Sequence, residues 1–259
     1  MLVGNQSYLL KWYGKPIRNA LASVHTFMVQ DENSKSNLAK IGYDNAVITG
    51  DPLFDNAIAI SKEPYHNDII ERFCTTAKEI FVAGSISDSR DLALVSHLAN
   101  SNPDVKFIVV PHEISEEGLN EIKYHMNQKT LQYSECDEKT DFTGTSVLII
   151  DFLGALSRIY RYGSWAYVGG GFTPYLHSVI EPVVYGIPVA FGPRIERKQT
   201  AKQIIKLGIG HIVSSKAEIK SWFKSVRDHD RLSAIQKLAS EYVESNSNVT
   251  DKVVQVLQR

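Results

Sequence analysis

Short apolar runs alternate with longer amphipathic stretches along most of this chain. The apolar runs have the length and composition of buried strands, and the stretches between them have helical periodicity. Such alternation is typical of a sheet covered by helices, so we predict an α/β fold with a doubly wound, Rossmann-like parallel sheet. The predicted strands are Thr26–Val29, Ala46–Thr49, Glu79–Ala83, Val105–Val110, Ser146–Ile150, Ala166–Val168, Val189–Phe191 and His211–Val213.

Helical periodicity fills the intervals between these strands. The predicted helices are Ser34–Ile41, Asp88–Asn100, Glu116–Gln128, Leu153–Tyr162, Lys198–Leu207 and Lys216–Arg227. A polar helix over Asp230–Ser245 follows, and after an Asn-rich segment we expect only a last short turn.

A polar segment with a proline, Ser61–Asn67, marks the predicted domain boundary. The sequence before it is too short for an independent α/β core, which favours roughly 100 residues or more. We therefore predict that residues 1–62 are the remnant of one α/β domain with its interdomain linker. Residues 63–259 are predicted to form a complete doubly wound domain with a C-terminal helix.

Composition narrows the class of protein. A hydrophobic fraction of 43% and a charged fraction of 22% are typical of a soluble globular protein. The net charge of −1 provides no broad basic surface, which argues against nucleic acid as a partner. Cys74 and Cys136 fit neither a disulfide framework nor a zinc site, and indicate a reducing cytosolic compartment. We recognise no signal peptide in the sequence. No apolar run approaches the length of a membrane span, which is roughly 18 residues.

The segment from Trp165 to Pro193 contains the clearest candidate site. A predicted strand, Trp165–Val168, is followed by Gly169, Gly170 and Gly171 and then by a predicted helix through His177, Ser178 and Glu181. Glycines allow a ligand to approach the main chain, and a helix N-terminus favours an anionic group. Glu181 in the first turn suits sugar hydroxyls. A plain tight turn is the alternative interpretation.

The spacing of these glycines also separates classes of nucleotide. The segment lacks the G-x-G-x-x-G pattern of dinucleotide-binding proteins, and the chain contains no P-loop pattern. A sugar nucleotide is therefore favoured over NAD or ATP.

Loops that follow the predicted strands carry further binding candidates. Because ligands of open α/β folds bind beyond the carboxyl ends of the strands, these loops are expected to line one crevice. The loops are Gly84-Ser85, Pro111-His112-Glu113, Asp151 with Leu153-Gly154, Gly169–Gly171, and Gly192-Pro193-Arg194.

Several motifs in their order along the chain resemble the 3-deoxy-D-manno-octulosonic acid (Kdo) transferases of lipopolysaccharide biosynthesis. The resemblance covers nearly the whole chain. The motifs are Lys11–Gly14, Val29–Glu32, Thr49–Asp55, Val110-Pro111-His112, Asp151–Gly154, Val168–Gly170 with His177–Glu181, Gly186–Val189 and Phe191–Pro193.

The resemblance implies a GT-B glycosyltransferase that moves Kdo from CMP-Kdo to a lipid A precursor at the cytoplasmic face of the inner membrane. It implies no cofactor and no metal for donor binding. In the family the C-terminal domain binds CMP-Kdo, and the N-terminal domain carries the catalytic base. This chain lacks most of that N-terminal domain, so no catalytic residue is assigned, and weak or no transfer activity is expected of it alone.

Carried over by motif, the resemblance implies the donor-binding residues. They are Gly84, Ser85, Pro111, His112, Leu153, Gly154, Ala155, Ser178, Val179, Ile180 and Glu181, beside the glycine loop and His177. Three of them depart from the family pattern: His112 stands in place of arginine, Ala155 in place of glutamate, and Ser178 in place of asparagine as a predicted N-cap. Glu181 is expected to bind the ribose hydroxyls.

Other polar residues have competing interpretations. His177 either touches a phosphate or caps its helix and packs on Tyr175, and Asp151 is expected to bond local backbone N–H groups. Arg194, Arg197 and Lys198 are predicted to form a solvated rim, with contact to an anionic lipid or a donor carboxylate as the alternative. Trp12, Tyr13 and Trp222 are predicted to pack at helix interfaces, and His112-Glu113 is not expected to bind metal.

Two other functions remain open from the sequence. A GT-B enzyme that uses a UDP-sugar has the same requirement for a glycine loop and a helix-borne glutamate. A non-catalytic nucleotide-binding module is the other alternative.

Overall fold

A computed structural model of the protein describes residues 11–76 and 79–258. Its larger sheet contains β3 (Ile80–Ile86), β4 (Lys106–Pro111), β5 (Thr130–Gln132), β6 (Val147–Ile149), β7 (Trp165–Val168), β8 (Val189–Phe191) and β9 (Gly210–Ile212). These strands lie side by side in the order β5-β6-β4-β3-β7-β8-β9, and each neighbouring pair is parallel. The predicted α/β class with a parallel sheet is confirmed.

The direction in which the chain adds strands reverses between β3 and β7. From β3 the chain first builds outward through β4 to β6 and β5, and it then returns to place β7 on the other side of β3. The carboxyl ends of β3 and β7 therefore diverge at a topological switch point, where open α/β sheets form their crevice. Gly84 lies two residues before the end of β3, and Gly169 directly follows β7.

Helices cover both faces of this sheet, as the near-continuous apolar strands require. They are α4 (Asp68–Thr75), α5 (Ser89–Ser101), α6 (Glu116–His125), α7 (Leu156–Ile159), α8 (Ile180–Val183), α9 (Gln199–Lys206), α10 (Lys216–Val226) and α11 (His229–Ser245). A 3₁₀ turn, Tyr160–Tyr162, continues α7.

Aromatic side chains join the central strands to α10. Phe81 of β3 stacks on Phe107 of β4 with centroids 5.2 Å apart, and Phe223 of α10 contacts both Phe81 and Trp165. Trp222 is buried and packs edge-on against Phe81, which confirms its predicted packing role. Trp12 and Tyr13 differ from the prediction, since 85% and 56% of their surfaces are exposed.

The chain divides into two compact units, Met1–Ile58 with Val243–Arg259, and Ala59–Tyr242. The predicted boundary in Ser61–Asn67 lies close to the first division, between the end of α3 (Leu53–Lys62) and the start of α4. The sequence-based division placed residues 243–259 with the second domain, whereas the structure groups them with the first unit.

The first unit is built around a parallel pair, β1 (Phe27–Val29) and β2 (Ala46–Ile48), with α1 (Lys15–Leu21) and α2 (Glu32–Ala39). Its core cluster contains Val29, Leu38 and Ala46. The predicted final turn is instead a helix, α12 (Val249–Leu257), whose Val249 is fully buried. The main-chain N–H of Thr250 donates to Asp55 over 2.6 Å, which ties α12 to the first residues of α3.

Two further elements differ from the sequence-based prediction. Strand β5 was not predicted, because Thr-Leu-Gln is a half-buried edge strand without an apolar run. The helix predicted through His177 and Ser178 begins only at Ile180. The segment before it, from Pro174 to Val179, contains no regular element.

Candidate functional site

The glycine loop Gly169–Gly171 is packed against the protein's own main chain. A Cβ atom on Gly169 would lie 2.0 Å from the carbonyl oxygen of Ser85, and one on Gly171 would lie 2.5 Å from the nitrogen of Gly192. Gly170 has a φ of +84°, and a Cβ there would meet the carbonyl of Tyr175 at 2.5 Å. The missing side chains therefore allow the loops after β7 and β8 and the last residues of β3 to contact one another. Gly84 and Ser85, predicted to lie in a loop, are part of β3.

Hydrogen bonds also occupy the main chain of this loop. The N–H of Gly169 donates to the carbonyl of Gly84 over 2.9 Å, and the N–H of Gly170 donates to Asp91 over 2.9 Å. From the sequence we expect these glycines to make room for a ligand. In the structure, glycine is required at these positions because the loops pack closely against one another. Direct binding of a donor by Gly169, Gly170 and Gly171 stays a prediction.

The short helix α8 places Glu181 but offers no capped N-terminus. Its N-cap position is Val179, which makes no side-chain cap, so the predicted capping role of Ser178 is wrong. The hydroxyl of Ser178 instead hydrogen-bonds the carboxylate of Glu181. Pro174 ends a turn, and the residues from Tyr175 to Val179 form no regular element, so the helix begins only at Ile180, with Pro182 tolerated in its first turn. The predicted anion site at a helix N-terminus is not formed here.

Glu181 is a half-buried carboxylate at the predicted crevice. Burial raises its pKa, against the opposing effects of the Ser178 hydrogen bond and the charge of Lys198. Its charge also acts on buried Tyr160, whose pKa is raised well above the ordinary value by burial and by Glu181. A partly desolvated carboxylate of this kind forms strong hydrogen bonds with hydroxyl groups that displace the remaining water.

His112 and His177 bring two imidazoles together at the ends of β4 and β7. Their ring centroids are 4.3 Å apart, and the planes are tilted by 42°. Burial, followed by the charges of His112 and Lys198, lowers the pKa of His177 to about 4. His177 does not cap α8, and its main-chain N–H donates to Gly169 over 3.2 Å. Of the two interpretations from the sequence, the capping role is therefore wrong.

Lys198 is a functional candidate that sequence analysis placed on a solvated rim. Arg194 and Arg197 are exposed, as predicted, but Lys198 is only half exposed. Its charge reaches both His177 and Glu181, although it lies beyond β8 in sequence. No sequence signal distinguished it from its basic neighbours, because the contact depends on the path of the loop before α9.

The loop after β6 differs in character from the glycine loop. Leu153 is 78% exposed, and a Cβ on Gly154 would meet nothing within 4 Å. Asp151 accepts hydrogen bonds from the side-chain amide of Gln132 over 2.6 Å and from the N–H of Ser134 over 3.0 Å. Its predicted structural role is thus supported, but its partners lie at and just after the end of β5 and are not local. Ala155 is buried at the N-cap position of α7.

The remaining predicted residues lie along the ends of β3 and β4. Gly84 is buried, and a Cβ there would lie 2.2 Å from the hydroxyl of Tyr160. Ser85 has a φ of +55°, a conformation uncommon for a residue with a side chain. Pro111 and His112 line a cavity of about 260 Å³ between the loops after β3 and β4. Other residues of its lining are Ser87, Asp88, Ser115 and Glu121.

A buried acid in α5, Asp91, was also missed from the sequence. Its side chain is completely buried and reaches the glycine loop. The signal for it was present, since an acidic residue stands among Leu92, Leu94 and Val95 on a helix otherwise turned to the core.

Two features are absent from the described residues, 11–76 and 79–258. None of their helices has the length and apolar character needed to cross a membrane. None of their His, Cys, Asp and Glu side chains form a group of three that could hold a metal ion.

Comparison with known proteins finds several similar Kdo transferases, although no family model matches the chain. The 3-deoxy-D-manno-octulosonic acid transferase of Chlamydophila psittaci is 25% identical over 236 residues, which cover 88% of this chain and 53% of the relative. That of Aquifex aeolicus is 29% identical over 147 residues, covering 54% of this chain and 40% of the relative. The chain spans about half the length, 53% and 46%, of two chlamydial relatives that it matches.

Solved structures share the fold. The C-terminal CMP-Kdo binding domain of WaaA from Acinetobacter baumannii matches with a TM-score of 0.58 and 20% identity, over 74% of this chain and 98% of that domain. The UDP-GlcNAc 2-epimerase from Neisseria meningitidis, bound to UDP-GlcNAc, matches with a TM-score of 0.66 and 14% identity, over 99% of this chain and 67% of that one. The resemblance and the fold class predicted from the sequence are both confirmed: the chain is a relative of the Kdo transferases, with a GT-B-type Rossmann-like fold.

Proposed function

We propose that this chain supplies the CMP-Kdo-binding half of a Kdo transferase of lipopolysaccharide biosynthesis. The observation that carries the proposal is the sequence similarity to Kdo transferases over 88% of the chain. The shared fold with a CMP-Kdo binding domain supports it. The acceptor in the proposal is a lipid A precursor at the cytoplasmic face of the inner membrane, and no cofactor or metal takes part.

One group of crevice residues is proposed to bind the ribose of the nucleotide, and a second group its phosphate. Glu181, held by Ser178, is proposed to accept hydrogen bonds from the ribose hydroxyls. The paired imidazoles of His112 and His177, together with Lys198, are proposed to face the phosphate. This arrangement replaces the permanent charge of an arginine by the ring N–H donors of imidazoles and the charge of Lys198.

Transfer needs a group that this set of residues does not provide. In the reaction the acceptor hydroxyl oxygen bonds to the anomeric carbon of Kdo, the bond from that carbon to the CMP phosphate breaks, and a base removes the hydroxyl proton. We propose that the base lies in a part of the protein outside this chain. The chain by itself is then expected to bind the donor and to transfer Kdo weakly or not at all.

Calorimetric titration with CMP, with UDP and NAD in parallel, tests the proposal. We expect selective CMP binding, and a loss of about tenfold or more in Glu181→Ala, because a buried charged acceptor for two hydroxyls is removed. Glu196→Ala is the matched control, since Glu196 is an exposed acid on the loop between β8 and α9. Equal affinities of the wild type and Glu181→Ala for CMP would remove Glu181 from the donor site.

A UDP-sugar enzyme is the second candidate function. The match to an epimerase bound to UDP-GlcNAc covers 99% of this chain with a TM-score of 0.66, higher than the 0.58 of the CMP-Kdo binding domain. Binding of UDP without CMP in the same titration would favour this candidate. Binding of none of the three nucleotides would contradict both and leave a non-catalytic module.

A further inference from the structure

Asp91 makes unusual contacts for an acidic residue in the first turn of a helix. It is completely buried, and one carboxylate oxygen accepts from the hydroxyl of Tyr167 over 2.7 Å. The other accepts from the N–H of Gly170 over 2.9 Å, and the backbone N–H of Ser87 also donates to the carboxylate. One side chain thus joins the loop after β3, strand β7 and the glycine loop.

The carboxylate is held by hydrogen-bond donors and not by a cation. In the described parts of the chain, no lysine, arginine or histidine forms a salt bridge with Asp91. Burial raises the pKa of Asp91, against the hydrogen bonds from Gly170 and Tyr167. A buried acid without an ion pair is costly, which indicates that its geometry serves a purpose beyond packing.

The neighbouring Arg90 holds the same loop at a second point. Its guanidinium donates to the carbonyl of Phe172 over 3.2 Å and lies 4.8 Å from the centre of the Phe172 ring. Asp88 fixes the guanidinium through two contacts of 2.9 and 3.1 Å. The first turn of α5 therefore contacts the main chain at Gly170 and at Phe172.

The position of the glycine loop determines where the proposed donor-binding residues lie. The carbonyl of Gly169 accepts from the N–H of His177, so the main chain at His177 follows the loop. His177 in turn precedes Ser178 and Glu181 by one and four residues. A shift of Gly170 by a few tenths of an ångström would change where both the imidazole and the carboxylate meet a nucleotide.

We propose that Asp91 is a positioning residue for donor binding, which sets the glycine loop and through it His177 and Glu181. The inference rests on the proposed function, since it concerns the same crevice. Asp91 itself is buried beneath the loop and touches no ligand.

Three variants and CMP titration test this role. Asp91→Ala removes the acceptor of Gly170, and we expect CMP affinity to fall about tenfold, the usual effect of one lost charged hydrogen bond. Asp91→Asn keeps a carbonyl for Gly170, while the Tyr167 hydroxyl can turn to accept from the amide, so affinity should recover to within about threefold of wild type. Tyr167→Phe removes the other partner only, and should lower the melting temperature with affinity within about twofold of wild type.

Each outcome decides one of the two proposals. If the wild type binds neither CMP nor UDP, the proposed function fails, and the donor-positioning role fails with it. If the wild type binds CMP and Asp91→Ala binds it equally well, only the positioning role is overturned. If Asp91→Ala does not fold, amide resonances of the wild type decide: saturating CMP should shift Gly170 and His177, and unshifted resonances overturn the role.

Discussion

Two loops at the same edge of the sheet look alike in sequence and differ in the structure. Gly169–Gly171 follows β7, and Leu153-Gly154 follows β6, each after a fully buried strand. The first loop is buried and in contact with two neighbouring loops, whereas Gly154 is exposed with open space around it. Glycine is needed in one loop for close approach of main chains and in the other only for a φ of +86°.

The comparison separates a fixed part of the crevice from an accessible part. The β7 loop has its N–H groups occupied by Gly84 and Asp91, so its main contribution is to place the residues that follow it. The β6 loop presents an exposed Leu153 and is held by the hydrogen bonds of Asp151 and by Phe152, whose ring centroid lies 4.5 Å from that of Tyr133. Substitutions should therefore change stability in the β7 loop far more than in the β6 loop.

The largest expected effect is that of Gly169→Ala. The new methyl would lie 2.0 Å from the carbonyl oxygen of Ser85, and this main-chain atom cannot move without separating β3 from β7. We expect the free energy of unfolding to fall by about 3 kcal/mol or more, the upper range for overpacking. Gly154→Ala is the control, with a cost of about 1 kcal/mol from its positive φ. Urea unfolding measures both; equal costs would abolish the distinction between the loops.

An intermediate effect is expected for Asp151→Asn, which tests the anchor of the β6 loop. Asparagine cannot accept from both Gln132 and Ser134 without misplacing its amide, so unfolding free energy should fall by about 1–2 kcal/mol at pH 7. Burial opposes ionisation of Asp151, but the hydrogen bonds from Ser134 and Gln132 hold its pKa below the ordinary value.

The pH dependence follows from the sign of that pKa change. A carboxyl whose pKa is lowered by folding stabilises the protein above its ordinary pKa of about 4, and this contribution disappears as pH falls through the folded pKa. The difference between wild type and Asp151→Asn should therefore shrink between pH 5 and about pH 3. A difference in urea midpoints that stays constant over this range would show that the charge of Asp151 is irrelevant.

The smallest effect is expected from the titration of His177, which tests how strongly the segment after the β7 loop is buried. Its folded pKa of about 4 lies below the ordinary 6.5, so the neutral ring is favoured by folding. This contribution is complete above pH 6.5 and is lost as pH falls toward 4, by about 1 kcal/mol after allowance for solvent around the half-buried ring. His177→Gln should reduce the change of the melting temperature with pH between 6.5 and 4. The same pH dependence in wild type and variant would contradict the lowered pKa of His177.

The sequence predicted β3, β4, β6, β7 and β8 well because each is a short, largely apolar run that is buried on both faces. Strand β5 was not predicted, since an edge strand of Thr-Leu-Gln contains no such apolar run. The glycine loop was also predicted, but its physical reason was not, because close contact of Gly169 with Ser85 depends on strand order. The role of Lys198 was missed because it approaches His177 and Glu181 only once the sheet has formed. Asp91 was missed although its position among apolar helix residues was a signal, because its partners Tyr167 and Gly170 are distant in sequence.

The helix at the C-terminal end has a consequence for the order in which the protein can fold during synthesis. Val249 is buried against Gly50, and Thr250 bonds Asp55 across 195 positions of the chain. The ribosome therefore completes all of Ala59–Tyr242 before the first unit receives its last helix. During that time β1 and β2 are without α12, and nascent chains are expected to expose this site to chaperones until α12 has been synthesised.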